Sequence, residues 1–486
     1  MRESLTRRTV KGAAWIGGAS VARLALRVVS VAVLARLLTP HEYGVVAAAL
    51  IAMDFAAMVY GMGLAPTLVQ RKEVRPDHVA TALSSALLVA ALAAAGMWYG
   101  APLIAELMQI PELTQILKVT AWLTPFGAFS VLCEALLARD MQVKSLAMRP
   151  LFSFTISTFF IAIPMAAYGF GYWSLVAMQA ADTIVGAAAL AFAARRLLVW
   201  PGFSRRAFAE LWPLSLGFTL NQPFSYVAQN ADKFLIGRVL GAGSLGIYTR
   251  AAFFATTAAA LFGNITRLSV FPAMAQVQED KERLRNALLK ALSALAVVTL
   301  PTSAFCIVFA KDLVDLLLGN TWHTAVVPFA ILSGTLYLRL AWRACAALFQ
   351  ALGHPHWITG VHVLRAGALI VGILWAAPHG LPTICAVVSG VMAVVLAIML
   401  VLVKRAIGLS FYRMAATHLQ PLAISVAVLA LGTTLKASLA NTPGPVVLVI
   451  GFVVLLASVS PVILFQNRRF LGSYNVAFLR RTQGGL

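Results

Sequence analysis

Residues 381–403 read LPTICAVVSGVMAVVLAIMLVLV, an apolar stretch that contains no charged residue. A helix needs about 20 mainly apolar residues to cross the ~30 Å hydrocarbon layer of a bilayer. Similar stretches recur along the whole chain, in which 60% of the 486 residues are hydrophobic and only 11% are charged. The sequence therefore predicts an all-α polytopic membrane protein.

We identify about fourteen transmembrane helices, in groups of six, six and two. The segments run approximately from 12 to 38, 43 to 65, 79 to 103, 113 to 137, 150 to 169, 172 to 194, 213 to 237, 246 to 272, 286 to 310, 324 to 350, 357 to 377, 381 to 403, 419 to 437 and 445 to 466. This grouping predicts an N-terminal six-helix bundle in residues 1–200 and a second six-helix bundle in 201–410. Residues 411–486 then hold the accessory helices 13 and 14 and a tail.

The two bundles are predicted to be parallel repeats, because an even number of spans separates them. A weak internal match supports this prediction. A shift of 202 residues aligns Leu34–Leu38 with Ile236–Leu240 and pairs Gly44 with Gly246.

Lys and Arg are concentrated in every second loop, which fixes the orientation of the chain. They cluster in residues 2–11, 71–75, 139–149, 195–206, 281–290, 404–413 and 468–481. Such loops stay on the cytoplasmic side, so both termini are predicted to be cytoplasmic. The same bias accounts for most of the net charge of +21, and we do not expect nucleic acid as a partner.

Several basic residues lie inside the predicted spans, where charge is costly. A charge at the bilayer centre costs at least ~2.5 kcal/mol on insertion scales and usually marks function. The basic residues are Arg23 and Arg27 in span 1, Lys233 in span 7, Arg339 and Arg343 in span 10, and Arg365 in span 11. The clearly intramembrane acids are Asp54, Glu134, Asp182 and Asp232. Either these cations lock helices together, or they line a cationic cavity for an anionic substrate such as a phosphate, pyrophosphate or sugar acid.

Span 7 is polar for a membrane helix. Gln222 and Gln229 follow helical spacing and could bind sugar hydroxyls, although hydrogen bonding between helices is the alternative. Asp54 and Asp232 are candidate sites for a coupling ion, H⁺ or Na⁺.

We find no motif for catalysis, metal binding or nucleotide hydrolysis. The four cysteines, Cys133, Cys306, Cys345 and Cys385, all fall within predicted spans and form no CxxC pair. No Walker lysine motif, nucleophile elbow or HExxH is present. We therefore expect no catalytic residue, no metal site and no cofactor, and a transporter in place of an enzyme.

The chain resembles the bacterial oligosaccharide and polysaccharide flippases of the multidrug/oligosaccharidyl-lipid/polysaccharide exporter superfamily, especially the lipopolysaccharide and exopolysaccharide branch. The resemblance covers nearly the whole chain. It rests on Val10–Trp15 (VKGAAW), Leu34–Gly44 (LARLLTPHEYG), Asn230–Arg238 (NADKFLIGR) and Gly246–Tyr248 (GIY).

This resemblance implies two six-helix bundles around a central cavity, with two further C-terminal helices. It also implies a flippase that carries undecaprenyl-pyrophosphate-linked oligosaccharide from the cytoplasmic to the periplasmic leaflet of the bacterial inner membrane, for surface polysaccharide biosynthesis. Alternating access would move the cargo, and polysaccharide polymerase machinery would be a partner. Two alternatives remain open: a multidrug/cation antiporter of the same superfamily, and a flippase for the peptidoglycan precursor lipid II.

Overall fold

The computed structural model of the chain describes residues 5–61, 63–71, 73–219, 222–265, 274, 276–439, 442 and 444–460. All regular secondary structure in these residues is helical. The chain divides into two compact units. Unit 1 comprises Met1–Thr249 and Leu317–Thr321, and unit 2 comprises Arg250–Leu316 and Trp322–Leu486.

Unit 1 contains ten complete α-helices and the first half of an eleventh among its described residues. They are α1 (Leu5–Leu37), α2 (Pro40–Tyr60), α3 (Leu64–Gln70), α4 (Pro76–Met108), α5 (Leu113–Ala121), α6 (Thr124–Arg139), α7 (Val143–Thr155), α8 (Ile163–Ala167), α9 (Tyr172–Ala194), α10 (Arg205–Thr219) and α11 (Gln222–Ile265). A π-helical stretch, Ile156–Ala162, joins α7 to α8. Helix α11 is interrupted at Gly241, which has a φ of 79°, and its residues up to Thr249 belong to unit 1.

Unit 2 contains the remaining described helices. They are α12 (Lys281–Val308), α13 (Ala310–Leu317), α14 (Val326–Ser333), α15 (Leu336–Ala351), α16 (Pro355–Ala376), α17 (Leu381–Ile407), α18 (Phe411–Ser438) and α19 (Gly444–Ser460). Helix α18 packs on α12, where Gly432 lies against Val308 and Phe309. Lys436 donates to Asp312 over 2.6 Å.

The predicted polytopic all-α fold is confirmed. Among the described residues, ten helices are long and apolar enough to span a membrane, or eleven if the bent pair α5 and α6 forms one span. Predicted span 7 falls on the end of α10 and the start of α11, span 8 on the later part of α11 and span 14 on α19. Residues 220–221, 266–272 and 461–466 of these spans lie outside the described part. The count of fourteen and the boundaries at 200 and 410 stay predictions.

The packing within each unit fits a lipid environment. Small side chains fill the interior between α4 and α6, with Ala82, Ala90 and Ala128 fully buried. Large apolar side chains face outward instead, as with Leu103, which is 69% exposed, and Val371, which is 70% exposed. Small residues let helices approach closely where water supplies no driving force.

The turn from α1 to α2 is fixed by its own sequence. The hydroxyl of Thr39 accepts from the Glu42 backbone N–H, and the Glu42 carboxylate accepts from the Thr39 N–H over 2.7 Å. Pro40 stands at the first helical position, where its missing N–H costs nothing. This capping box sets the direction in which α2 leaves the turn.

The start of α2 crosses the residues after Gly241 at a contact that we call the glycine crossing, formed by Pro40, Gly44, Ala242 and Gly246. A Cβ added at Gly44 would lie 1.6 Å from the Ala242 carbonyl oxygen, and a Cβ added at Gly246 would lie 1.9 Å from the Pro40 carbonyl oxygen. The 202-residue shift that pairs Gly44 with Gly246 also pairs Pro40 with Ala242, so the contact is reciprocal. Positions that the predicted repeat pairs therefore touch backbone to backbone.

Candidate functional site

The predicted cations of α1 lie on one stretch of the helix. Arg23 is half-buried, and its Nε is buried without a hydrogen-bond partner among the described residues. Arg27, one turn later, is exposed. A buried guanidinium N–H without a partner is costly, which marks Arg23 as a residue that its packing alone does not explain.

A second polar group forms where α2 meets α11. The hydroxyl of Tyr226 donates to the Ile51 carbonyl, and its ring packs edge-on against Phe55 at 5.9 Å. Two turns further along α11, the Lys233 ammonium donates to the Asn230 side chain over 3.0 Å. The charge of Lys233 acts on the exposed carboxyl group of Asp54. The structure thus brings together Asp54 and Lys233, two residues that the sequence singled out separately.

Asp232 has a different environment from Asp54. It is 7% exposed, and its carboxylate accepts from the Tyr248 hydroxyl over 2.6 Å and from the Lys233 backbone N–H over 2.9 Å. Tyr248 follows the break at Gly241, so this carboxylate joins the two sides of the break. Gln229 is exposed on α11, and the side chain of Gln222 lies outside the described residues.

The predicted cations of unit 2 lie on two neighbouring helices. Arg339 donates from Nε to the Thr335 hydroxyl over 3.0 Å, and the charges of Arg339 and the exposed Arg343 act on each other. The Trp342 ring packs edge-on against His362 of α16 at 5.3 Å, and the charge of Arg365 acts on that histidine. No ion pair to Arg339 or Arg343 occurs within the described part of unit 2.

Glu134, in contrast, has an ionic partner. Its carboxylate lies 2.9 Å from Arg149 Nη1, and Gly186 packs against the same guanidinium group. The sequence placed Arg149 in a cytoplasmic loop, but α7 begins at Val143 and carries it on a helix. The ion pair between Glu134 and Arg149 therefore links α6 to α7. Asp182 lies half-buried on α9.

A cluster that the sequence analysis missed surrounds Glu210 of α10. We call it the Glu210 clamp, formed by Arg71, Arg75, His78, Arg206 and Glu210. The carboxylate pairs with Arg71 Nη2 and lies 3.1 Å from His78 Nε2, 3.3 Å from Arg206 Nε and 3.4 Å from Arg75 Nη2. The His78 hydrogen bond, together with the charges of Arg75 and Arg71, lowers the pKa of Glu210 to about 2.

His78 donates to the clamp from a defined ring nitrogen. It is 1% exposed, and the backbone N–H of Arg75 donates to its Nδ1 over 3.2 Å. In the neutral tautomer whose Nδ1 accepts, Nε2 carries the proton and donates to Glu210. The helix start at Arg75 and the clamp therefore share one imidazole.

The backbone around the clamp is anchored independently of Glu210. The hydroxyls of Thr67 and Ser215 lie 3.2 Å apart, and a Cβ added at Gly63 would lie 2.3 Å from the Ser215 carbonyl oxygen. Arg139 donates to the carbonyl oxygens of Leu68 and Arg71. In the sequence, the available signal was that Glu210 is the only acid in the basic linker 195–213.

Comparison with known proteins decides the family. The profile described as polysaccharide biosynthesis protein matches residues 33–327, which is more than half of the chain. The chain belongs to this family. This is the polysaccharide family that the resemblance predicted.

Curated relatives agree with this assignment. The chain is 28% identical to the succinoglycan biosynthesis transport protein ExoT of Rhizobium meliloti (strain 1021), over 62% of this chain and 60% of that protein. It is 24% identical to the lipopolysaccharide biosynthesis protein WzxC of Escherichia coli (strain K12), over 72% and 71%. The teichuronic acid biosynthesis protein TuaB of Bacillus subtilis (strain 168) is 21% identical, over 76% and 77%. The chain thus spans less than two thirds of the length of ExoT.

Solved structures support the fold. The lipid II flippase MurJ in an inward closed conformation superposes with a TM-score of 0.73 and 12% identity, over 95% of this chain and 100% of that chain. An inward-facing multidrug resistance transporter of the MATE family gives 0.63 and 15%, over 80% and 98%. Among these proteins, ExoT is named a transport protein, MurJ a flippase and the MATE family member a transporter.

Proposed function

We propose that the chain carries an undecaprenyl-pyrophosphate-linked oligosaccharide from the cytoplasmic to the periplasmic leaflet of the bacterial inner membrane, by alternating access. The observation that supports this proposal is the set of cations on membrane helices in both units. Arg23, Arg339 and Arg343 have no ion pair among the described residues. A cation without an ion pair inside a membrane is costly and usually marks a functional site. Guanidinium groups bind phosphate through two parallel hydrogen bonds.

In this proposal, Arg23, Arg27, Arg339, Arg343 and Arg365 bind the pyrophosphate and any acidic sugar in a central cavity. Lys233, Gln222 and Gln229 of α11 contact the oligosaccharide. The polyprenyl tail stays in lipid, because burying its many methylene groups in protein would gain little over the bilayer. Both termini are cytoplasmic, and the polysaccharide polymerase machinery receives the product.

The test is a double substitution, Arg23→Gln with Arg27→Gln. Losing two charge-assisted hydrogen bonds should lower surface polysaccharide by about tenfold or more. The matched control is Lys311→Gln, which removes one charge from an exposed residue outside the predicted cavity. Protein levels are measured by immunoblot. Unchanged polysaccharide with normal levels of the double variant would remove both arginines from substrate recognition.

Asp54 is the better candidate for ion coupling, with H⁺ or Na⁺ as the ion. It is exposed beside the charge of Lys233, whereas the Asp232 carboxylate is buried and already accepts two hydrogen bonds. Asp54→Asn should abolish the dependence of transport on the ion gradient. Asp232→Asn should instead lower protein stability. Gradient dependence that survives in Asp54→Asn would exclude this role.

The two alternatives differ in cargo. A multidrug/cation antiporter would bind cations, for which the arginines of both units are unsuited. Efflux of a cationic dye by the wild type would nevertheless establish it. A lipid II flippase would also bind pyrophosphate, and an essentiality test separates it, since loss of peptidoglycan precursor transport is lethal.

A further inference from the structure

We propose that Arg71, Arg75 and His78 form a phosphate-binding site, which the Glu210 carboxylate occupies until a phosphate group displaces it. Four side chains converge on this one carboxylate, with N to O distances of 3.1 to 3.4 Å for His78, Arg206 and Arg75 and a direct pair to Arg71. Two guanidinium groups and an imidazole N–H directed at one point are the donor set that a tetrahedral oxyanion requires.

The charge balance favours an anion with more than one negative charge. Arg71, Arg75 and Arg206 supply three cations to the site, while the acids there are Glu210 and Asp77. Asp77 is engaged by Arg75 Nε at 3.1 Å. A carboxylate carries one charge, whereas a phosphate monoester or a pyrophosphate carries more and has more acceptor oxygens. Such a group can therefore outcompete Glu210.

Protonation does not release Glu210. Its pKa is held at about 2 by the His78 hydrogen bond and by Arg75 and Arg71. The carboxylate is thus ionised throughout the physiological pH range, and a competing anion is what can take its place.

The exchange requires movement of one side chain only. Arg75 is 44% exposed and Glu210 27% exposed, so an anion can reach the site from the aqueous side. The helices stay in place because Thr67 contacts Ser215 and Arg139 binds the carbonyls of Leu68 and Arg71. Glu210 can then move to the far more exposed Arg206, one turn earlier on α10, which it already contacts at 3.3 Å.

The phosphate could come from the cargo or from an anionic membrane lipid. In the predicted orientation the clamp lies on the cytoplasmic side, where the cargo starts its path. The assignment to cargo rests on the proposed function. The existence of a phosphate site does not, because binding is measured without transport.

The test measures binding of inorganic pyrophosphate to the full-length protein in nanodiscs of neutral phosphatidylcholine. Glu210→Gln removes the competing charge and should bind pyrophosphate about tenfold more tightly than the wild type. Arg71→Gln with Arg75→Gln should lose binding. The matched control is Glu73→Gln, which makes the same change of charge at an exposed residue between Arg71 and Arg75 and should bind as the wild type does.

A purely structural clamp gives the opposite pattern. Glu210→Gln would then bind no more tightly than the wild type, or no more tightly than Glu73→Gln, and either result overturns the proposal. If Glu210→Gln fails to fold, Glu210→Asp draws the carboxylate back by one methylene and should also raise the affinity for pyrophosphate.

Displacement of pyrophosphate by polyprenyl pyrophosphate but not by phosphatidic acid assigns the site to cargo. The reverse assigns it to membrane lipid, and displacement by neither overturns the proposal.

Discussion

The segment that begins the predicted second repeat contacts the predicted first repeat at two places of opposite character. At the glycine crossing, two backbones touch with no room for a methyl group. At the Glu210 clamp, one carboxylate contacts four cationic or donor side chains, and most of them are partly exposed. A steric contact cannot be exchanged for a ligand, whereas an ionic contact can. The glycine crossing is thus a fixed contact, and the Glu210 clamp is a contact that a ligand can replace.

The largest effect is expected at the glycine crossing. Gly44→Ala or Gly246→Ala places a Cβ within 2 Å of a carbonyl oxygen, which forces the backbones apart and costs about 1–3 kcal/mol or more. Surface polysaccharide and thermal stability should both fall sharply. Gly243→Ala is the matched control, because its added Cβ meets nothing within 4 Å. Equal behaviour of the three variants would show that the crossing is not tight.

A smaller effect is expected from pH at the clamp. The pKa of Glu210 is lowered from 4.5 to about 2, so its stabilising effect is complete above the unfolded value and is lost as the pH falls towards 2. The stability difference between wild type and Glu210→Gln should shrink as the pH falls from 4.5 towards 2. Thermal unfolding at a series of pH values measures it. A difference that does not shrink between pH 4.5 and pH 2 would contradict the assigned environment.

The smallest effect is expected from locking α10 in place. Thr67→Cys with Ser215→Cys, in a chain whose four native cysteines are replaced by alanine, puts two thiols where hydroxyl oxygens lie 3.2 Å apart. That spacing allows a disulfide. Transport should be unchanged by oxidation, because only the Glu210 side chain moves. A loss of transport that a reducing agent restores would mean that α10 itself must leave.

The sequence predicted the parts of the molecule that depend on periodic composition. Apolar stretches predicted the helices, and the glycines at 44 and 246, which the predicted repeat pairs, lie at one reciprocal contact. Such features could be read from sequence because a membrane helix is defined by its length and hydropathy alone.

The sequence did not predict the contacts between distant side chains. Glu210 and Arg71 are 139 residues apart, and nothing in a single sequence joins them. Arg149 was placed in a loop because a basic residue beside Pro150 ends the apolar stretch, yet Glu134 neutralises it on a helix. In the sequence, Asp54 and Asp232 appeared equivalent. In the structure, Asp54 is exposed, whereas Asp232 is buried and accepts a hydrogen bond from the Tyr248 hydroxyl.

The most direct measurement follows a tagged undecaprenyl-pyrophosphate-linked oligosaccharide in proteoliposomes that contain the purified full-length chain. An enzyme that cannot cross the membrane reports how much cargo has changed leaflet. Our account predicts that the wild type accelerates this movement and that the Arg23→Gln, Arg27→Gln variant slows it by about tenfold. It also predicts that the same oligosaccharide on uncharged undecaprenol is moved poorly. Equal transport of the charged and uncharged lipids, or no acceleration by the wild type, would contradict a carrier that recognises an anionic cargo through its arginines.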